Sequence, residues 1–421
     1  MPGPLRGLAD RLAGVGALPT PARAVFSHYA EGGTLELAAI RLQQQVEDEV
    51  ERMVEAAYAD VESALAAEFD RESVEFAYDT KLTMPVELTL SHLYRRAIER
   101  APPGVDPVSG QRRTDPISQL RRRFATYPES AGLVADVRRA EQVAELVVVA
   151  LLDGDMRDAI NDAEYEDFHV DFEVDESDRG RVASIAQEVL QAAVQERFAA
   201  FPDEVRAAYD DAVERSEAHQ DRDPHFRELL VDAVHAAEAD GVTEAMVEDA
   251  REQPEATREE LDAEAARDAL REEYKFAGFE EAGFSEPPEL FATAELDLPY
   301  LVTQYGRVGV IYHGMVEMFR EAGIELSMPF ERSVVLAIIG AQLWLDDVDD
   351  FDADMAEGQL TPVTAEYLLA ESDTEAYEEV VAITESYLDR ARDAAHDSDA
   401  PVTGIAVEYI RHSGEPEKLP R

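Results

Sequence analysis

Helical periodicity runs through most of this chain and fixes the class of fold open to it. Between Leu35 and Phe69, apolar and acidic residues recur at three-to-four spacing, which puts the apolar ones on one stripe of a long amphipathic helix. The same period predicts helices over about 118–126, 133–163, 179–200, 203–219, 223–240, 255–277, 297–322, 328–356 and 374–396. Two stretches read as extended. In Ser73–Leu90, Val74, Phe76 and Tyr78 alternate before Pro85 interrupts; in Phe168–Asp175 (FHVDFEVD), Phe168, Val170, Phe172 and Val174 alternate with polar residues. The expectation is a mainly α protein, a helical bundle with a small β element of two to three strands. Proline and glycine mark loops at Ala101–Pro116 and Gly278–Pro288. The expected organisation is an N-terminal helical region with short strands and an arginine-rich segment (1–130), a bundle core (131–397) and a mixed, polar C-terminal tail (398–421).

Charge narrows the partners. Against 92 Asp+Glu stand 38 Lys+Arg, a formal net charge of −54, and only Lys81, Lys275 and Lys418 are lysines. The hydrophobic share stays at 45%, so the chain can still bury a core. An acidic, lysine-poor surface over an ordinary core suits a halophilic cytoplasm, where a Debye length of about 3 Å in molar salt screens self-repulsion. The net charge disfavours nucleic acid and anionic lipid as partners. With no cysteine, disulfides, thiolate catalysis and Cys-ligated metals are excluded. The N-terminal MPGPLRGLADRLAG lacks the apolar run of a signal peptide. The apolar stretches Val143–Leu152 and Val334–Leu345 are short for a bilayer. These features predict a cytoplasmic protein without a membrane span; a homodimer is compatible with them. The zinc, dinucleotide, P-loop and nucleophile-elbow motifs are missing from the sequence.

One basic island interrupts the acidity. His92–Arg139 carries Arg95, Arg96, Arg100, Arg112, Arg113, Arg121, Arg122, Arg123, Arg138 and Arg139 against five acids. These arginines either pair with neighbouring carboxylates or form a polyanion site.

Two helices turn abruptly from apolar to acidic. In Ser333–Gly358 (SVVLAIIGAQLWLDDVDDFDADMAEG), a helix apolar nearly all round runs into aspartates. At 100° per residue, Asp347, Asp350 and Asp354 share one face with Leu336, Gly340 and Leu343, and Asp346 flanks it. Three carboxylates on one partly buried face repel each other, so their pKa values rise or a cation holds them. Oxygen-only ligands on successive turns suit Mg2+. A calcium loop starting at Asp350 fails, because Met355 stands where glycine is needed and Thr361 where glutamate is needed. In Glu141–Ala163 (EQVAELVVVALLDGDMRDAINDA), Asp155, Asp158 and Asp162 repeat the spacing of Asp347, Asp350 and Asp354.

The stretch QLWLDDVDDFDADMAEGQLTP resembles the second aspartate-rich helix of the class I isoprenoid synthases, the group of trans-prenyl diphosphate and squalene/phytoene synthases. Pro299–Gly323, with Gly306, Gly309 and Gly314 among apolar residues, fits the preceding helix loosely. The resemblance implies a class I helical bundle that ionises an allylic prenyl diphosphate. It implies Mg2+ held by Asp346, Asp347, Asp350 and Asp354, with Asp155, Asp158 and Asp162 opposite. Arg157 and Arg307 would then neutralise diphosphate, while Trp344, Gly340, Leu343 and His313 would line the prenyl cavity. The first segment departs from the family pattern, reading DGDMRD where DDxxD is expected, and Asp347 stands 192 positions after Asp155. Two alternatives stand beside this reading. One is a non-enzymatic helical interaction or scaffold protein; the other is a regulator that binds nucleic acid through the Arg95–Arg139 island.

Overall fold

The computed structural model describes residues 13, 19–32, 37–78, 83–101, 108, 128–161, 163–239 and 263–421. The protein is mainly helical. In chain order the elements are α1 (Thr20–Gly32), α2 (Leu37–Glu68), β1 (Phe76–Tyr78), α3 (Met84–Arg100), α4 (Pro128–Asn161), β2 (Phe168–Val170), α5 (Glu176–Phe198), α6 (Asp203–Gln220), α7 (Asp223–Ala239) and α8 (Ala263–Leu270). They continue with α9 (Leu301–Gln304), α10 (Val310–Glu321), α11 (Met328–Ala341), α12 (Phe351–Glu357), α13 (Pro362–Leu369), α14 (Asp373–Asp397) and α15 (Pro401–Ser413). Among the described residues three π-turns are built into this succession: Arg271–Lys275 after α8, Tyr305–Gly309 between α9 and α10, and Gln342–Asp346 after α11.

Tertiary contacts divide the chain into two compact units, at different places from the boundaries expected at 130 and 397. One unit takes 36–210 and 314–326; the other takes 1–35, 211–313 and 327–421.

In the first unit α2, α3, α4 and α5 pack together. Val143–Leu152 of α4 is buried apart from Glu145, as expected of a helix apolar nearly all round. Leu65, Leu90, Leu146, Leu152, Met156 and Leu190 are among its fully buried side chains. The β1–β2 pair is antiparallel, with Phe76 opposite Val170 and Tyr78 opposite Phe168. Extended structure is shorter than the alternation suggested. Met84 opens a helix because Pro85 occupies its first turn, where a missing N–H costs nothing.

In the second unit α11 is the core rod. It is buried from Phe330 to Gly340 except for Arg332, and it packs on α14 and α15. Gly340 permits the close approach of α14, since a Cβ there would lie 2.7 Å from Leu388 Cδ2. With its π-turn, α11 forms Met328–Asp346, the one helix among the described residues long and apolar enough to cross a membrane. Its apolar window is 67% buried inside the protein, the condition of a core helix. Gly358, at a φ of 69°, ends α12 in the left-handed conformation that glycine adopts without strain. Thr361 and Thr364 then cap α13 reciprocally, with Pro362 in its first turn. The expected mixed tail holds a full helix, α15, whose Val402, Ile405, Val407 and Ile410 are buried. The expected helix 118–126, most of the loop 101–116 and the first part of the expected helix 255–277 lie outside the described residues.

Candidate functional site

The apolar-to-acidic change after α11 builds a buried charge cluster. Asp347 follows the π-turn and is 1% exposed. Its Oδ1 accepts from Arg307 Nη1 at 2.9 Å and, more weakly, from Gln342 Nε2 at 3.5 Å. The same Gln342 amide donates to Asp346 Oδ2. Asp347 Oδ2 is buried and has no hydrogen-bond partner among the described residues. Burial pushes the Asp347 carboxyl up to about 6; Arg307 pulls it down and Asp346 adds to the rise. Asp354, 8% exposed on α12, is pushed up to about 7 by burial first and by Asp347 next. Arg307 offsets part of this, and Asp350 and Asp346 add to it. The four predicted aspartates and Arg307 therefore share one electrostatic neighbourhood.

The aspartates do not share one face. Asp347 and Asp354 are buried, Asp346 is half-buried, and Asp350 is exposed just before α12. Straight helical phasing fails because the helix gives way to a turn between Asp347 and Asp350, while the π-turn before Asp347 rotates the aspartates relative to Leu336 and Gly340. Asp349 and Asp352 are exposed, and Asp349 pairs with Lys418 at 3.2 Å.

All three π-turns serve this neighbourhood. Tyr274 stands on the first, Arg307 on the second, and Gln342 and Asp346 on the third. Fully buried Tyr274 feels the charges of Arg307, Asp347 and Asp354, and its hydroxyl donates to Leu360 O at 2.8 Å. That bond ties the segment after Gly358 to α8. Single π-turns inside helices are frequent at functional sites.

His219 stands six residues from His225, a spacing that suits no one-face ligand pair and gives the sequence no signal for it. It lies against Gly306, where a Cβ would come within 2.7 Å of its Nδ1. Burial, then Arg222 and Arg307, push it down to about 4, so it is neutral beside two arginines.

The expected cavity residues are core contacts. Gly340 faces Leu388, Leu343 is 1% exposed, and Trp344 sits against Gly414 and donates to Arg411 O at 3.3 Å. His313 meets the Tyr305 hydroxyl at 2.7 Å through Nδ1, with Glu331 3.9 Å from Nε2. Sequence pattern could not separate a lined cavity from a filled core, because both need apolar and small residues.

The other aspartate run belongs to the first unit, on α4. Asp162 lies outside the described residues, Asp158 is exposed and Asp155 is half-buried. The buried acid there is Asp153, which accepts from Arg157 Nη2 at 2.6 Å and Gln187 Nε2 at 3.1 Å. Arg157 is also hydrogen-bonded to Tyr209. The arginine expected to neutralise diphosphate is therefore held in a structural network. Its i, i+4 spacing from Asp153 was the signal that could have shown this.

Of the arginine island, Arg95 pairs with Glu99 at 2.8 Å and Arg96 contacts Glu325, whereas Arg112, Arg113 and Arg121–Arg123 lie outside the described residues. Among the described residues no group of three or more His, Asp or Glu side chains converges to hold a metal ion unaided. No family model, no curated protein and no solved structure matches the chain.

Proposed function

We propose that the Arg307–aspartate cluster binds the diphosphate group of an allylic prenyl diphosphate through Mg2+, and that the protein ionises this substrate for prenyl transfer, condensation or cyclisation. The observation that carries the proposal is Asp347, a buried carboxylate with one unpartnered oxygen, crowded by Asp346, Asp350 and Asp354.

The donor set fits Mg2+. It is all oxygen, and Mg2+ is commonly held by one or two carboxylates plus waters and phosphate oxygens. That suits a cluster in which no three acidic side chains close a cage. When bound, Mg2+ supplies charge neutralisation that makes diphosphate a better leaving group. Asp347 and Asp354 would be its inner ligands, with Asp346 and Asp350 at the rim. The Arg307 guanidinium has donors beyond the one on Asp347 and would bond phosphate oxygens. Ionisation breaks the bond between the allylic C1 and the diphosphate oxygen, and the electron pair leaves with diphosphate. The prenyl part of the proposal rests on the resemblance of QLWLDDVDDFDADMAEGQLTP to the isoprenoid synthases.

The packing of Gly340 and Trp344 favours a second reading, a helical interaction protein whose aspartates serve no prenyl chemistry. Thermal unfolding with EDTA, with Mg2+, with inorganic diphosphate and with both separates the two. Saturation at 100 Kd stabilises by about 2.7 kcal/mol, so Mg2+ and diphosphate together should raise Tm by several degrees and Asp347→Asn should abolish the rise. Turnover of geranyl or farnesyl diphosphate with diphosphate release then supports the enzyme. A Tm indifferent to the pair, or a bound diphosphate without turnover, decides for the second reading.

A further inference from the structure

Tyr300 is the anomaly of the second unit. Among the described residues four non-glycine residues have a positive φ. Asp70, Ala163 and Asp399 are exposed, whereas Tyr300, at a φ of 63°, is bulky and 0% exposed. It stands at the N-cap of α9 without a side-chain cap bond, so the start of the helix does not itself call for tyrosine. Glycine or asparagine would take this conformation at less cost. A strained residue persists where its surroundings over-determine it, and such residues cluster at functional sites.

The surroundings hold Tyr300 from three sides. Its N–H donates to Lys275 O at 2.6 Å, and its hydroxyl donates to Glu366 Oε1 at 2.6 Å. Its ring meets Tyr274 edge-on, at 5.6 Å between centroids. Lys275 Nζ reaches the same Glu366 oxygen at 2.7 Å. Glu366 is buried, and burial, then Glu366, keeps the Tyr300 hydroxyl protonated and donating. One residue earlier, Pro299 O accepts from the Tyr387 hydroxyl at 2.7 Å. Lys275 is one of only three lysines among 38 basic residues. Its compact ammonium can share one carboxylate oxygen with a hydroxyl, where the planar fork of arginine seeks two.

These residues join the two sides of the charge cluster. Tyr274 and Lys275 close the first π-turn, and Glu366 belongs to α13, which follows Asp354 and Gly358. Tyr300 starts the helix that reaches Arg307 two turns later. Thr303, one turn before Arg307, bonds back to Tyr274 O at 3.4 Å. The helix of Arg307 and the segment after Asp354 are therefore both fastened to the first π-turn. A buried ion pair is a weak source of stability, and its best-attested use is to fix register.

We infer that Lys275, Glu366 and Tyr300 are positioning residues: they set the direction and register of 301–309 and thereby hold the Arg307 guanidinium on Asp347. This placement of Arg307 does not depend on what the cluster binds. Its use, a preorganised guanidinium for diphosphate, rests on the diphosphate reading.

The test is a double-mutant cycle read by urea unfolding of the full chain at pH 8 with EDTA. Tyr300→Phe keeps the ring and removes the bond to Glu366. Arg307→Met should lower the folding equilibrium constant by a factor at least ~10-fold smaller in the Tyr300→Phe background than in the wild type, whereas separate contributions to stability simply add. Lys275→Met/Glu366→Gln removes both charges, keeps an acceptor for Tyr300, and should give the same reduction. An Arg307→Met loss equal in all three backgrounds overturns the positioning role. Calorimetric titration with Mg2+ and inorganic diphosphate separates the two proposals: the wild type should bind, and Tyr300→Phe should bind ~10-fold more weakly. A wild type that binds nothing overturns the diphosphate reading and leaves the cycle to decide on Arg307. A folded Tyr300→Phe that binds as tightly as the wild type overturns the positioning role.

Discussion

Arg307→Met probes the aspartate cluster most sharply. Methionine keeps an apolar stem and removes the charge. Asp347, 1% exposed, then loses the cation that its Oδ1 bonds at 2.9 Å. Removing one partner of a buried ion pair costs about 3–5 kcal/mol. The carboxyl can escape part of that cost by taking up a proton. In the wild-type protein burial raises it to about 6 even with Arg307 lowering it, so the variant's carboxyl lies higher still. Its folded value then exceeds the unfolded value of about 3.9, and the folded state binds the proton more tightly. The contribution of Asp347 to stability falls as pH rises from about 4 through 6 in the wild type. In the variant it goes on falling above that. The deficit is therefore large at pH 8 and small at pH 5, where the carboxyl is mostly protonated in both proteins. Urea unfolding by circular dichroism, at fixed salt with EDTA present, should show about 3 kcal/mol lost at pH 8 and about 1 kcal/mol at pH 5. Adding Asp347→Asn removes the stranded charge, and the double variant should recover most of the loss at pH 8. A deficit equal at both pH values, or a double variant no better than the single one, refutes the reasoning that Arg307 neutralises a buried Asp347.

Two glycines give opposite expectations. Gly154 lies inside α4 with no atom within 4 Å of an added Cβ, so Gly154→Ala should stabilise by about 0.5–1 kcal/mol in the same unfolding assay. Gly414→Ala drives a methyl into the Trp344 indole and breaks its bond to Arg411 O, which should cost about 2–4 kcal/mol and red-shift the emission of this single tryptophan. Unaltered emission in a folded Gly414→Ala would show that the indole does not sit there.

What the sequence disclosed was periodicity. The apolar-to-acidic rod at 333–358 could be read in advance, as could the small β element at Phe76 and Phe168; the pairing of Arg307 with Asp347 could not. Features that need three dimensions could not. A π-turn adds one residue without erasing helical composition, so 305–309 and 342–346 read as plain helix, and straight-helix phasing of the aspartates follows from it. Asp153 hides in a run of acids, and only burial separates it from Asp155 and Asp158. Gly340 and Trp344 suit a cavity wall and a tight contact equally well until Leu388 and Gly414 are seen beside them. The helix 84–100 was obscured because the true alternation of Val74, Phe76 and Tyr78 runs directly up to it.

The three wide turns have a consequence for how the cluster can be gained or lost. Each holds one residue more than an α-helix needs, and at 3.6 residues per turn one residue is worth about 100° of rotation. Deleting one codon inside 305–309 or 342–346 would leave an ordinary rod of nearly the same composition, yet swing Arg307 or Asp347 away from its partner. The number of residues in those turns, as much as the choice of acidic side chains, keeps the charges together.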